Sequence, residues 1–267
     1  MFKKLLPIVS LALPVLASAN DGIQSYVVYD FWNNRILESH NANQVKPIAS
    51  VTKLMTANVF LENNKDKNCK ASIQTIDSDF IKGTGTSLPM HTPIPCNELL
   101  KAMLVRSDNY AAHALSRSAG MTRAQFIQKM NQKARQLGMN STSFEDSSGL
   151  SSGNVSSAMD LVKLAKYSLN KKVIRDLSNS PSVIVNTGRQ NLYMQNTNAL
   201  VRDENFTALI NKTGYIREAG YNLVFVNRQK CGNAVIGVIS LNNRSSGART
   251  NFTRNKLAQY GCPSALS

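Results

Sequence analysis

Lys46-Pro47-Ile48-Ala49-Ser50-Val51-Thr52-Lys53-Leu54-Met55-Thr56-Ala57 is the stretch around which the rest of the chain is organised. Behind Pro47 the apolar residues Val51, Leu54, Met55 and Val59 recur at helical spacing, which predicts a buried helix beginning at Ser50 or just before it. Such a helix places Ser50 and Lys53 three positions apart on one face, close enough for an amine to take a hydroxyl proton. An ordinary lysine is protonated at neutral pH and is no base. Burial beside Leu54 and Met55, the positive helix N-terminus and a second cation would each make Lys53 less basic.

Upstream, Ile23 to Phe31 is rich in β-branched and aromatic residues, Asn33-Asn34 follows as a turn, and Arg35 to Ser39 resumes the extended pattern, so a hairpin is expected. Downstream, a helical stretch from Glu98 to Val105 stops at Arg106-Ser107-Asp108-Asn109, and another begins at once through Ala111, Ala112 and Leu115. Thr122-x-x-Gln125 is a capping box for a helix ending near Gly138, and Ser157-x-x-Asp160 opens a further helix. After residue 182 the periodicity shortens; Ala208 to Ile210, Asn222 to Val226 and Ala234 to Ser240 read as antiparallel strands, and Ser246 to Tyr260 as a returning helix. The expected fold class is α/β mixed: an antiparallel sheet built from both termini, flanked by helices, with an inserted all-helical region. No internal repeat or linker-like tract divides residues 20–267, which are expected to form a single domain.

Residues 1–19 combine Lys3 and Lys4, an apolar run from Leu5 to Leu16 and the small residues Ala17-Ser18-Ala19, the pattern of a cleaved signal peptide. The apolar run is shorter than the roughly 20 residues a bilayer span needs, so no stable membrane anchor is expected and the chain is placed outside the cytoplasm, in the periplasm or otherwise exported. Losing Lys3 and Lys4 with the leader takes the basic count from 31 to 29 against 16 acidic residues, a net charge of +13. An anionic surface is the natural partner of such a charge, and without a nucleic-acid-binding motif an exported protein meets cell-wall polymer first. Four cysteines in an exported chain suggest disulfides; Cys69 with Cys96 and Cys231 with Cys262 close the shorter loops and could each contribute roughly 3 to 4 kcal/mol. No C-x-x-C or H-x-x-x-H spacing offers a metal site, and no cofactor motif is present: Lys82-Gly83-Thr84-Gly85 lacks the Gly-Lys-Ser/Thr ending of a phosphate-binding loop and reads as a tight loop near a cleft.

Three short motifs stand in order along the chain: Ser50-Val51-Thr52-Lys53, Ser107-Asp108-Asn109 and Lys212-Thr213-Gly214. Each is weak alone, and decoys exist in Ser168-x-x-Lys171, Ser152-Gly153-Asn154 and Ser240-Leu241-Asn242. Context separates them, because only Ser50 opens an apolar helix, only Ser107 lies in an interhelical break, and only Lys212 ends a predicted strand. In this order the trio is the signature of penicillin-binding proteins and β-lactamases.

With Lys82-Gly83-Thr84-Gly85-Thr86, Asn196-Thr197-Asn198 and Tyr215 added, the chain resembles the low-molecular-weight penicillin-binding proteins, and among them the D-alanyl-D-alanine endopeptidases. The resemblance implies a serine DD-peptidase that cuts D-alanyl to meso-diaminopimelyl cross-links of peptidoglycan muropeptides and is acylated by β-lactams. Ser50 would be the nucleophile, Lys53 its base, and Ser107 the group passing a proton to the leaving amine. Asn109 would bind the substrate amide, and Lys212 with Thr213 a carboxylate. The N–H groups of Ser50 and Tyr215, the latter directly after Gly214, would hold the oxyanion. Carboxypeptidase relatives usually carry Ser-Gly-Asn and an added C-terminal domain, whereas Ser107-Asp108-Asn109 and a chain stopping soon after its last predicted helix point to the endopeptidase. Class A β-lactamases need a glutamate with an asparagine four residues on; Glu145 is followed at that place by Gly149, so fast penicillin hydrolysis is not expected.

Two rivals are weighed. A Ser-His-Asp hydrolase would have to use His40, His91 or His113, none in a nucleophile-elbow context. A non-catalytic wall sensor would keep the fold without cutting peptide, yet every position the chemistry needs is filled.

Overall fold

β-Branched and aromatic residues near both ends of the chain meet in one sheet in the computed structural model, which describes residues 23–78, 82–230 and 234–261. Ser25–Asp30 (β1) pairs antiparallel with Arg35–His40 (β2), the hairpin expected from the N-terminal pattern. Lys46–Pro47 (β3) leads into a 3-10 turn, Ala49–Thr52, and then helix α1, Lys53–Asn63. Lys70–Ser72 (β4) pairs with Pro93–Pro95 (β5). Helices α2 (Cys96–Lys101), α3 (Asn109–Ser118) and α4 (Arg123–Gln136) follow, with a π-helical turn over Ala102–Arg106 between the first two. Val155–Ser156 (β6) pairs back onto β3, and α5 (Ala158–Ser168) and α6 (Lys172–Ser178) complete the helical insert. A hairpin of Ser182–Asn186 (β7) and Asn191–Gln195 (β8) precedes the long strands Thr207–Ile216 (β9), Gly220–Arg228 (β10) and Val235–Asn243 (β11), and the last helix is Ser246–Tyr260 (α7).

Among the described residues the main sheet has the order β2-β1-β11-β10-β9 with every neighbour antiparallel. The N-terminal hairpin and the three C-terminal strands therefore join through β1 and β11, as expected for a sheet built from both ends. Side chains alternate across it: Leu223 and Phe225 pack with Phe252 and Leu257 of α7, while Val224 and Val226 face the helical insert. Helix α1 is buried from Lys53 to Phe60, and a helix without a solvent face must be central. It lies against α3, α4 and α5. Burying side chains such as Leu54, Met55 and Phe60 stabilises by roughly 1.5 to 3 kcal/mol each, which offsets carrying polar groups inside. Thr56 donates to the Ser147 carbonyl and Asn58 Nδ2 to the Leu54 carbonyl and Ser168, while Asn58 Oδ1 finds no partner among the described residues.

Three boundaries differ from expectation. Ser50 sits in the 3-10 turn and the α-helix begins at Lys53, because Ala49 has a left-handed backbone (φ +49°) and the Val51 N–H closes a tight turn onto the Ile48 carbonyl. The helix expected over Glu98 to Val105 widens into the π-helical turn after Lys101. Lys212, expected at a strand end, lies within the ten-residue β9. Cys69 and Cys96 form the expected disulfide, tying the start of β4 to the start of α2 with Cα atoms 5.4 Å apart. Cys231 and Cys262 lie outside the described residues, as does the leader 1–19.

Candidate active site

Two glycines clamp the turn that carries Ser50. Gly149 (φ +89°) approaches so closely that a Cβ there would stand 2.0 Å from the Ala49 carbonyl oxygen and 2.8 Å from the Ser50 nitrogen. A Cβ on Gly214 of β9 would stand 2.6 Å from the Ile48 oxygen and 3.1 Å from the Ser50 nitrogen. The glycine of Lys212-Thr213-Gly214 thus lets an edge strand lie against the Ser50 turn. The same contact explains Gly149: no asparagine fits there. Glu145 is exposed, accepts from Ser151 Oγ and lies over Gly153, away from the cleft.

Lys53 Nζ lies 2.8 Å from Ser50 Oγ, 2.6 Å from Asn109 Oδ1 and 2.6 Å from the Ser148 carbonyl. Complete burial pushes the amine down to about 7, against the upward pull of Asp146 and Asp108. A neutral amine has two N–H bonds and a lone pair. The N–H bonds have acceptors in Asn109 and Ser148, which leaves the lone pair for the Ser50 hydroxyl.

Ser107 takes a left-handed backbone (φ +67°) where the π-helical turn ends, and its Oγ accepts from Lys212 Nζ at 2.9 Å. Burial, then the charges of Lys53 and Arg249, hold Lys212 well below the ordinary lysine range. Asp108 serves the helix rather than the chemistry: it caps α3 by accepting from the Ala111 N–H, and its other oxygen accepts from Thr86. Asn109 Nδ2 donates to Thr84 Oγ1, so a substrate amide would share or displace that contact. Thr213 Oγ1 is 2.6 Å from Thr197 Oγ1, and strand β9 presents its outer edge, unpaired among the described strands, beside Tyr215. Ser50, Ser107, Asn109, Thr213, Tyr215 and Arg249 line one cleft of ≈ 370 Å³.

The decoys fall away. Ser168 is buried at the end of α5, donating to the Leu164 carbonyl, while Lys171 reaches outward to Glu62. Asn154 is a buried staple that accepts from the Glu145 and Asp146 N–H groups, and Asn242 lies at the end of β11. His113 Nδ1 is 3.1 Å from Ser147 Oγ, and burial with the Arg123 charge pushes its ring down to about 4, so this histidine is engaged with Ser147 rather than Ser50.

Sequence reading missed Arg249, Asp146 and Ser148. Arg249 comes from α7, is 4% exposed, donates to the Asn222 carbonyl and Ser246, and its Nε finds no acceptor among the described residues. Burial lowers it to about 10, opposed by Tyr221. Asp146 accepts from the N–H groups of Ser148, Gly149 and Ser151, which outweigh its burial and keep its carboxyl low; this fixes the loop that turns the Ser148 carbonyl to Lys53. No spacing rule marks these residues, since they reach the cleft only through tertiary packing.

A hydroxyl against a buried, weakly basic amine, with a second hydroxyl on a second amine across the cleft, is an arrangement suited to a serine hydrolase. Residues 17–244 match the family described as D-alanyl-D-alanine carboxypeptidase, and the chain belongs to this family of serine peptidases that act on cell-wall peptidoglycan. It is 66% identical over 98% of its length to a D-alanyl-D-alanine endopeptidase of Haemophilus influenzae, 88% of which is covered. A variant of the DD-transpeptidase of Streptomyces K15 superposes with a TM-score of 0.80 at 25% identity, covering 89% of this chain and 96% of that one. Penicillin-binding protein D2 of Listeria monocytogenes, in a cefotaxime-bound form, gives 0.76 at 28% identity over 89% of this chain and 96% of that one. No helix among the described residues is long and apolar enough to cross a membrane.

Proposed function

We propose that this protein hydrolyses D-alanyl to meso-diaminopimelyl cross-links of peptidoglycan through an acyl-enzyme on Ser50. The observation that carries the reading is the 2.8 Å contact between Ser50 and a fully buried lysine lowered to about 7. Neutral Lys53 takes the Ser50 proton as Oγ adds to the D-alanyl carbonyl. The N–H groups of Ser50 and Tyr215 receive the oxyanion, a contribution of about two to three orders of magnitude in rate per donor. The proton taken by Lys53 is relayed through Ser107, held by Lys212, to the leaving amine, which returns Lys53 to neutral and keeps the Ser107 hydroxyl; water then adds to the acyl group, giving one proton back to Ser50 as the acid is released.

The leaving residue carries a carboxylate beside the scissile amide; Arg249 supplies a cation and Thr213 a hydroxyl on the cleft wall, with Lys212 directly behind, bonded to Ser107 and the Thr213 carbonyl. A penicillin has a carboxylate in a similar place and acylates the same serine. Export through the leader 1–19 as a mature domain, 20–267, puts the enzyme in the periplasm with its substrate. The Haemophilus relative's name supports the endopeptidase. The family's description favours a second reading, removal of a terminal D-alanine, which needs the same residues.

Digesting defined cross-linked dimers and uncross-linked pentapeptides in parallel separates the two. The endopeptidase converts dimers to monomers faster than it releases D-alanine; intact dimers alongside rapid D-alanine release would overturn it.

A further inference from the structure

The cleft has a direction. The substrate amide assigned to Asn109 belongs to the acyl half, so that half lies between Asn109 and the outer edge of β9, beside Tyr215 and the β9–β10 turn. At that end a second wall stands opposite the strand. The loop following Lys82 is docked onto the Ser107-to-Tyr110 region: Thr84 Oγ1 accepts from Asn109, the Thr84 carbonyl accepts from the Tyr110 hydroxyl, and Thr86 donates to Asp108. From this loop Lys82 reaches Glu218, in the turn after β9, with Nζ 2.6 Å from Oε1.

The two residues are 136 positions apart and meet because the two walls of the cleft meet. Their side chains are 27% and 44% exposed. An ion pair so open to water adds little to stability. It does place one positive and one negative group, both reachable, next to the end of the cleft that Asn109 and Tyr215 line, two residues from Thr84 on one wall and three from Tyr215 on the other. In a diaminopimelyl cross-link the residue before the scissile D-alanyl ends in a side chain with an ammonium and a carboxylate on a single carbon. The protein's pair is its complement.

We propose that Lys82 and Glu218 form a subsite for this zwitterionic side-chain end, Lys82 taking its carboxylate and Glu218 its ammonium as the internal pair opens. The subsite rests on the acyl-enzyme reading above and adds to it a preference within the acyl stem. Lysine at the same position offers an ammonium alone and satisfies half of the site.

The test is protection of Ser50 from a fluorescent penicillin, which requires no cross-link cleavage, in the full chain. The ligands are L-Ala-γ-D-Glu-X-D-Ala tetrapeptides with X as meso-diaminopimelate, as its side-chain carboxamide, or as L-lysine. Wild type is expected to be protected about two- to fivefold better by the diaminopimelate peptide than by either other, the scale of one partly exposed charge pair. Lys82→Gln should erase the difference between the acid and its carboxamide, and Glu218→Gln should weaken the lysine peptide as well. A variant that merely disturbs the loop would weaken all three peptides together and keep their ratios, which overturns the proposal, as does equal protection of wild type by all three. Intact dimers beside a retained preference would sink the endopeptidase reading and leave the subsite standing.

Discussion

Lys53 can act as a base only while its amine is neutral, and burial, by lowering it to about 7, sets the pH at which that happens. Below that pH the ammonium has no lone pair for the Ser50 proton; above it the free amine predominates. The rate of Ser50 acylation by a penicillin should therefore rise about tenfold from about pH 6 to a plateau above about pH 8, measured by stopped-flow labelling. A flat profile over this range would assign the proton to another group. Lys53→Arg, which stays protonated, should abolish acylation at every pH tested. The residues of the three motifs were legible in the sequence because chemistry fixes their spacing or order, whereas Arg249, Asp146 and Ser148 carry no such mark. The roles of Asp108 and Asn109 were also only half legible: the first caps a helix and the second has both ends of its amide engaged.

Elements with local signals were read correctly and those set by packing were not. Thr122 and Ser157 cap α4 and α5 as their sequences announce, through side-chain oxygens accepting from Gln125 and Asp160. The π-helical turn before Ser107 and the hairpin of β7 and β8 went unread, because a widened turn leaves no periodic trace and Ser182 to Gln195 is too short and mixed to stand out. Gly149 is where an element-level contact governs the chemistry. Gly149→Ala would place a methyl group 2.0 Å from the Ala49 oxygen and in a left-handed backbone, so the Ser50 turn must move. Displacement on the scale of 1 Å costs about 100-fold in rate, and acylation should slow by that order while urea unfolding reports a loss of about 1 to 3 kcal/mol. Near-normal acylation of this variant would contradict the clamp.

At the scale of the whole molecule the cleft lies where a sheet assembled from the two chain ends meets a helical insert, so Ser50 comes from the 3-10 turn before the first helix and Lys53 from its first residue, Ser107 and Asn109 from the middle, and Lys212 and Arg249 from the C-terminal part. The fold class was legible because strands cluster at the ends and helices between them; strand order and the return of α7 over the sheet depend on alternating side chains from distant segments. The direct test of the convergence is to treat the protein with a penicillin, digest it and locate the adduct by mass spectrometry. A single acyl adduct on the peptide containing Ser50, lost in Ser50→Ala, is the predicted result. An adduct on any other residue, or one that persists in Ser50→Ala, would contradict the account.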